Sequence, residues 1–372
     1  MISRFKTIDL FLIIIPIIFV VLSVAVIYSL VVGTDDFSYV VRQAVFAGIG
    51  IFFMGLGSFV DYRFFKGTSF IFYIMALLLL LLAYTVGKFG ALGSKSWLDL
   101  GFFRLQPSEI AKIFLIFSLA SFFSPRIGRL RWRDILFSLL MVGIPLGMIL
   151  IEPDLGTALV IVFVYFFLFF VAKPNNFQKI IAILIIALAS TTLVLAAAKV
   201  GPFGKILKDY QRDRLIIFIN PASDPYDKGY NITQSQITVG SGGLFGKGLG
   251  KGSQSQLQFL PEPHTDFIFS GIAESFGFAG SITFLALYAY LILRILNIAN
   301  TAKDNFGMLL SCGISAMFLF QVLINVGMTV GMAPITGIPL PLLSYGGTSM
   351  VVSLFSLGVA QSVYIRHQKI RF

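Results

Sequence analysis

The stretch "NVGMTVGMAPITGIPLPLLSYGGTS", residues 325–349, interrupts a chain that is otherwise largely apolar. Proline has no backbone N–H and a fixed φ, so Pro334 stops the helix that begins upstream. Pro339, Pro341 and Gly337 then describe a re-entrant turn, and "SYGG" turns the chain into one last apolar run. Non-helical backbone at membrane depth survives only where protein or a water-filled cavity surrounds it. An irregular segment between two apolar runs therefore implies a helical membrane bundle built around something polar.

The rest of the chain agrees. Its 372 residues are 57% hydrophobic and 12% charged, with a mean hydropathy of +0.90, against roughly 25% charge in soluble domains. Apolar runs of about 20 residues, each long enough to span a bilayer, recur along nearly the whole length. The pattern predicts an all-α polytopic membrane protein with spans near 8–32, 39–60, 68–88, 107–123, 135–151, 154–172, 179–200, 266–296, 306–333 and 348–365. The whole of 1–372 then forms one integral membrane domain, with a large extracellular loop over 201–265. The first apolar run is too long for a signal-peptide core and is expected to be retained. A single Cys312 rules out a disulfide framework or a cysteine metal site.

The net charge of +11 does not indicate a nucleic-acid partner, because no aromatic-basic binding module accompanies it. Topology accounts for part of it. Every second loop carries the basic residues: Arg4 and Lys6; Arg63 and Lys66; Arg126, Arg129, Arg131 and Arg133; Lys173 and Lys179; Arg294 and Lys303; Arg366, Lys369 and Arg371. The positive-inside rule makes these loops, and both termini, cytoplasmic. Two external segments break the rule. Residues 87–112 hold Lys88, Lys95, Arg104 and Lys112, and residues 201–265 hold Lys205, Lys208, Arg212, Arg214, Lys228, Lys247 and Lys251. Either they meet anionic headgroups or they serve an anionic substrate such as a pyrophosphate, which Arg and Lys suit. The glycine-rich 239–256 has no Walker or Rossmann context and reads as a lid or a cavity lining. "YQRDRLIIFINP" (210–221) reads as a short amphipathic interfacial piece.

All four glutamates, Glu109, Glu152, Glu262 and Glu274, lie in or beside apolar runs, where charge is costly and usually paired or functional. Glu109 and Lys112 share a helix face, after a helix start at Pro107 with Ser108 as a cap; they form an internal ion pair, or Lys112 reaches a headgroup. In "IEPDLGTAL" (151–159), Asp154 either caps the sixth span or faces a cavity. In "LPEPHTDFIFSGIAES" (260–275), Asp266 stands where a helix begins, and Glu274 follows about two turns later on a similar face, compatible with one shared cavity. His264 and His367 stand at opposite ends of the topology, which excludes a histidine-rich metal site.

The 325–349 stretch resembles the signature of the SEDS family, the shape, elongation, division and sporulation proteins of bacterial cell-wall synthesis. "GSKSWLDLGFFRLQPSEIAKI", "EPDLGTAL" and "DPYDKGYNITQSQITVGSGG" are similar to the family's segments in the same order, so the resemblance covers essentially the whole chain. "GKGSQSQLQFLPE" is closer to the RodA branch, while Pro263 and Ser275 depart from it where a basic residue and a second acid are common. The resemblance implies a peptidoglycan glycosyltransferase that polymerises lipid II at the outer face of the bacterial cytoplasmic membrane. Its implied partners are a class B penicillin-binding protein and the elongation machinery. It implies a catalytic Asp266, and substrate-binding roles for Arg42, Trp97, Arg104, Glu109, Lys112, Asp154, His264 and Thr265. Asp266 acts as a base, or holds a divalent cation (Mg or Mn) that acidifies the hydroxyl; no organic cofactor is expected. A lipid-precursor flippase and a non-catalytic scaffold are the competing readings.

Overall fold

The structure is a computed structural model and describes residues 8–31, 37–87, 96–99, 101, 103–198, 209–257, 259 and 263–367. The expectations for Arg4, Lys6, Lys88, Lys95, Lys205, Lys208, Glu262, Lys369 and Arg371 fall outside this set.

Among the described residues, nine helices are long and apolar enough to cross a membrane. They are α1 (Phe11–Val31), α2 (Ser38–Phe59), α4 (Ser69–Val86), α5 (Pro107–Phe123), α6 (Trp132–Ile151), α8 (Asn176–Ala197), α12 (Ile268–Thr301), α13 (Asn305–Thr329) and α14 (Gly347–His367). A 3-10 turn over Ser124–Arg126 carries α5 on to a 20-residue span, whereas the expected sixth span is α7 (Leu155–Val171), 17 residues long, at the lower limit of roughly 17 for a span. Four short helices join them: α3 (Tyr62–Gly67), α9 (Asp209–Ile219), α10 (Lys228–Ser241) and α11 (Ser253–Gln256). Strands β1 (Leu98–Asp99) and β2 (Arg104–Leu105) form a small antiparallel hairpin with Asp99 opposite Arg104.

Helices α5, α13 and α14 make the centre of the bundle, and most of their residues are buried. Helices α4, α6 and α8 instead present leucine, isoleucine and phenylalanine outward, as a lipid-facing periphery requires. Close packing uses small residues. At Gly358 an added Cβ would lie 2.2 Å from the Met54 carbonyl oxygen, so α2 and α14 meet nearly backbone to backbone. A phenylalanine cluster fills the space beside them, with Phe65 stacked on Phe117 at 4.5 Å.

The basic loops gather at one end. There Tyr62 donates to Asp304 at 3.0 Å, Arg63 pairs with Asp304 at 3.5 Å, and Arg366 pairs with Asp61 at 3.2 Å. Asp9, beside α1, pairs with Arg294 of α12. The hairpin, α9, α10 and the 330–346 turn lie at the other end, called here the hairpin end.

The 239–256 segment is no lid. Helix α12 breaks at Gly277, where φ is +68 and ψ −167, and the glycine-rich loop fills the break. Lys247 N donates to Glu274 O and Gly248 N to Ser275 O, both at 2.9 Å. In return Phe278 N donates to Gly243 O at 2.8 Å, and Ala279 N to Leu244 O at 3.0 Å. These bonds satisfy groups that a kink would otherwise leave orphaned in an apolar bundle. A Cβ at Gly277 would sit 2.2 Å from Gly246 N. Gly277→Ala is therefore expected to cost on the order of 3 kcal/mol, from positive φ and overpacking together. The thermal midpoint in detergent should fall clearly, whereas Gly48→Ala, which meets nothing within 4 Å, should leave it unchanged. Equal midpoints would remove the kink from this account.

Candidate functional site

The signature stretch supplies the wall of the site. After α13 ends, Gly331 and Gly337 take positive φ of 78 and 73, and the chain folds back to α14. Asn325, buried within α13, holds this turn. Its Nδ2 donates to Ile338 O at 2.8 Å and to the backbone oxygen of Asp266 at 3.0 Å. Ser344 Oγ donates to Thr265 O at 2.6 Å, and Tyr345 N donates to His264 O at 2.8 Å. The "SYGG" turn and Asn325 thus grip His264, Thr265 and Asp266 through their backbone oxygens.

Gln43 of α2 backs the grip. Its Nε2 donates to Ser344 O at 3.2 Å and to Ser23 Oγ at 2.8 Å, and Ser23 donates to Leu343 O at 2.6 Å.

Asp266 is not a helix cap. It lies in the turn before α12, whose N-cap is Phe267 with no side-chain capping bond. The carboxylate approaches the re-entrant wall, since a Cβ at Gly337 would be 3.6 Å from Oδ2. Gly337 is needed for its positive φ, and a Cβ there would only reach ordinary contact with that oxygen. Arg214 of α9 also meets this wall. Its Nη1 donates to Ile335 O at 3.2 Å and Thr336 O at 3.1 Å. Burial lowers the Arg214 guanidinium from its usual value, and the charges of Asp266, Tyr210 and Asp154 raise it again.

Glu274 does not share a cavity with Asp266. Its carboxylate is fully buried and taken up by the glycine-rich segment. It accepts from Lys247 Nζ at 2.9 Å, Gln254 N at 2.9 Å, Ser255 N at 3.1 Å and Ser255 Oγ at 2.5 Å. One regular helix through both residues would turn them the same way, but Asp266 precedes the helix.

Asp154 caps α7, accepting from Thr157 N at 3.0 Å. Its second oxygen accepts from Ser108 Oγ at 3.0 Å and Gln106 Nε2 at 3.3 Å, so it also fixes the start of α5. Ser108 is consequently not the cap of α5; Gln106 holds that position, with Pro107 at N1. Glu109 and Lys112 form a buried ion pair at 2.6 Å, and this pairing is what the geometry gives to Lys112 in place of a headgroup.

A second polar group sits beside His264. The Tyr39 ring lies 4.4 Å from the His264 ring and 5.1 Å from that of Tyr345. The charges of Arg42 and Arg104 reach the Tyr345 phenol. Burial raises the Tyr345 phenol, and Arg42 pulls it back. Arg104 is exposed on β2, and its carbonyl accepts from Thr348 Oγ1 at 3.3 Å. Trp97 is half-buried at the foot of the hairpin. Its neighbour Ser96 donates to Glu152 O at 3.1 Å. Among the expected residues, Asp266, His264, Thr265, Arg42 and Arg104 thus gather around the signature turn. Asp154 stands at its flank, and the Glu109–Lys112 pair lies deeper in α5.

Arg214, Asn325, Tyr39 and Tyr345 join the site without having stood among its expected residues. Arg214 was visible only as one cation in a basic segment. Asn325 is an amide inside an apolar helix, the same kind of signal that drew attention to the glutamates.

Glu152 closes α6, and both its carboxyl oxygens are buried with no hydrogen-bond partner among the described residues. Burial, reinforced by the charge of Asp154, pushes its carboxyl up to about 8. A folded-state value above the unfolded one means that the folded protein holds a proton that the unfolded chain releases. Its stabilisation is present at low pH and lost as pH rises from the ordinary carboxyl value of 4.5 through about 8. The thermal midpoint should fall across that window, and Glu152→Gln should flatten the fall. Parallel profiles for the two proteins would contradict it.

An apolar groove of about 220 Å³ runs between α6, α7 and α8, lined by Trp132, Leu136, Tyr165, Phe166 and Ile185 among others. It lies toward the end away from Asp266, beside Gln178, whose side chain holds Leu130 O. The groove is therefore separate from the surroundings of Asp266.

Known proteins share this architecture. The chain is 36% identical over 371 residues to stage V sporulation protein E of Bacillus subtilis, covering 95% of this chain and 96% of that one. It is 34% identical over 360 residues to the peptidoglycan glycosyltransferase MrdB of Escherichia coli K12, covering 95% and 94%. A solved structure described as "Structural coordination of polymerization and crosslinking by a peptidoglycan synthase complex" superposes with a TM-score of 0.82 at 31% identity, covering 97% of this chain and 98% of that one. Thermus thermophilus RodA, a rod shape determining protein, superposes with a TM-score of 0.70 at 29% identity over 96% of each chain. The family model described as cell cycle protein, for FtsW, RodA and SpoVE, matches residues 4–369. From the signature turn to the full length of the bundle, the chain belongs to the FtsW/RodA/SpoVE family, the SEDS proteins.

Proposed function

We propose that this protein is a peptidoglycan glycosyltransferase that polymerises lipid II at the outer face of the bacterial cytoplasmic membrane. The observation that carries the reading is Asp266, whose backbone oxygen Asn325 holds, whose carboxylate approaches Gly337 of the signature stretch, and whose charge reaches Arg214. Membership of a family whose curated members are peptidoglycan glycosyltransferases supports it. The hairpin end is the external face in this reading, because the basic loops assemble at the opposite end, and both termini are cytoplasmic.

The reaction forms a bond between a sugar hydroxyl and the anomeric carbon of a second, lipid-linked sugar. The bond from that carbon to the pyrophosphate breaks, and its electron pair leaves with the pyrophosphate. Asp266 accepts the hydroxyl proton as general base. Arg42, Arg104 and the ring of His264 line the approach, where cations stabilise the departing negative charge. Trp97 supplies an aromatic face to a sugar at the rim. Asp154, Glu109 and Lys112 hold the α5 and α7 starts from which this approach is built.

A divalent cation, Mg or Mn, belongs to the reading as a proposal. Among the described residues no group of three His, Cys, Asp or Glu side chains surrounds a common point. Such an ion would rest on Asp266 and draw its other ligands from substrate oxygens, as Mg²⁺ commonly does with phosphates. Its contribution would be charge neutralisation at the pyrophosphate and acidification of the hydroxyl.

A class B penicillin-binding protein is the proposed partner, supported by the similarity to a chain from a peptidoglycan synthase complex. Elongation is the proposed process, supported by the similarity to MrdB and RodA. The test uses purified protein and labelled lipid II, with and without that partner and with a divalent ion or a chelator. Glycan polymer is expected; its absence under every condition would overturn the reading.

A further inference from the structure

The α9 helix brings one cation to the wall of Asp266, and nothing so far gives that cation a task. Arg214 spends one nitrogen, Nη1, on the Ile335 and Thr336 carbonyls. Those two bonds fix the plane of the guanidinium on the re-entrant wall. Its Nε is buried and has no hydrogen-bond partner among the described residues. A buried N–H left unsatisfied is costly, so in a native structure it calls for an explanation. The Nε edge of a guanidinium is a planar fork that suits two oxygens of one phosphate. Asp266 and Asp154 both lie within electrostatic range of this group, so the cation stands beside the carboxylate assigned to the chemistry.

We infer that Arg214 is a substrate-contacting residue whose Nε edge binds the pyrophosphate of the lipid-linked donor. This rests on the glycosyltransferase reading and adds a fixed guanidinium to the leaving-group side that the reading lines with Arg42, Arg104 and His264. The carbonyl bonds hold the fork in place before substrate arrives, so little ordering is needed on binding. Each charge-assisted bond made to the pyrophosphate strengthens as its bond to the sugar breaks and negative charge builds on the leaving oxygen. A flexible lysine would bring the charge without the fork.

The test measures binding of farnesyl pyrophosphate and farnesyl phosphate to detergent-purified wild type, Arg214→Gln and Arg214→Lys, alongside thermal midpoints and polymerisation of labelled lipid II. Wild type should prefer the pyrophosphate. Arg214→Gln should weaken pyrophosphate binding about 10- to 100-fold while changing monophosphate binding little, and Arg214→Lys should fall between. A wild type without preference, or a variant that loses both ligands alike or neither, overturns the assignment. Should Arg214→Gln fail to fold, Arg214→Lys decides: an unchanged preference overturns the assignment and a reduced one supports it. Wild-type polymerisation separates the two levels. No polymer from wild type would sink the glycosyltransferase reading, whereas polymer with an indifferent Arg214→Gln would sink only this subsite.

Discussion

Asp266→Asn is expected to lower glycan polymerisation by roughly 10²- to 10⁴-fold, the range over which a positioned general base contributes. The fold should not register the change. Asn325 and Ser344 hold the segment through the backbone oxygens of Asp266 and Thr265, and the substitution leaves both in place. The amide is isosteric, so the Gly337 clearance is kept. Thermal midpoint and lipid II binding should therefore stay close to wild type while turnover collapses. Near-normal polymer would remove Asp266 from the chemistry. A collapsed midpoint would make it a structural residue instead.

Lys112→Met carries the second large effect, and here it is on stability. Lys112 and Glu109 are each almost wholly buried, with side chains 2% and 3% exposed, and their charges meet at 2.6 Å. Removing one partner strands a carboxylate in an apolar surround, a loss of about 3–5 kcal/mol. Lys112→Met alone should unfold readily in detergent. The double variant Glu109→Gln/Lys112→Met, with no buried charge, should recover most of the midpoint. Its polymerisation then separates two roles. Recovered activity would make the pair an internal strut of α5, and a stable but inactive protein would place the pair in substrate contact. A single Lys112→Met variant as stable as wild type would contradict a buried ion pair at this position.

Periodicity and charge made the bundle legible, because apolar spans and basic loops are local properties of the chain. Helix α5 begins at Pro107 as expected, and Asp154 caps α7 as one of its two readings had it. What failed was long-range. Asp266 and Glu274 are eight residues apart, and a regular helix would turn them the same way. Whether the helix started before Asp266 depended on how the distant Ser344 and Asn325 gripped the turn. Glu274 was claimed by a loop about 20–30 residues upstream, a pairing no spacing rule announces. Arg214 was similarly hidden. Its place on the wall follows from contacts with residues more than a hundred positions away, and nothing within "YQRDRL" distinguishes it from Arg212. The glycine-rich 239–256 looked like freedom in sequence, and in the fold its glycines let a loop backbone close on a helix break.

The central claim is that the hairpin end is a polymerising site and not a gate for lipid passage. Proteoliposomes holding the wild-type chain and labelled lipid II, assayed together for glycan polymer and for movement of label between leaflets, test it most directly. The account predicts polymer from wild type and none from Asp266→Asn reconstituted in equal amount. Leaflet exchange without polymer from the wild-type protein would contradict it.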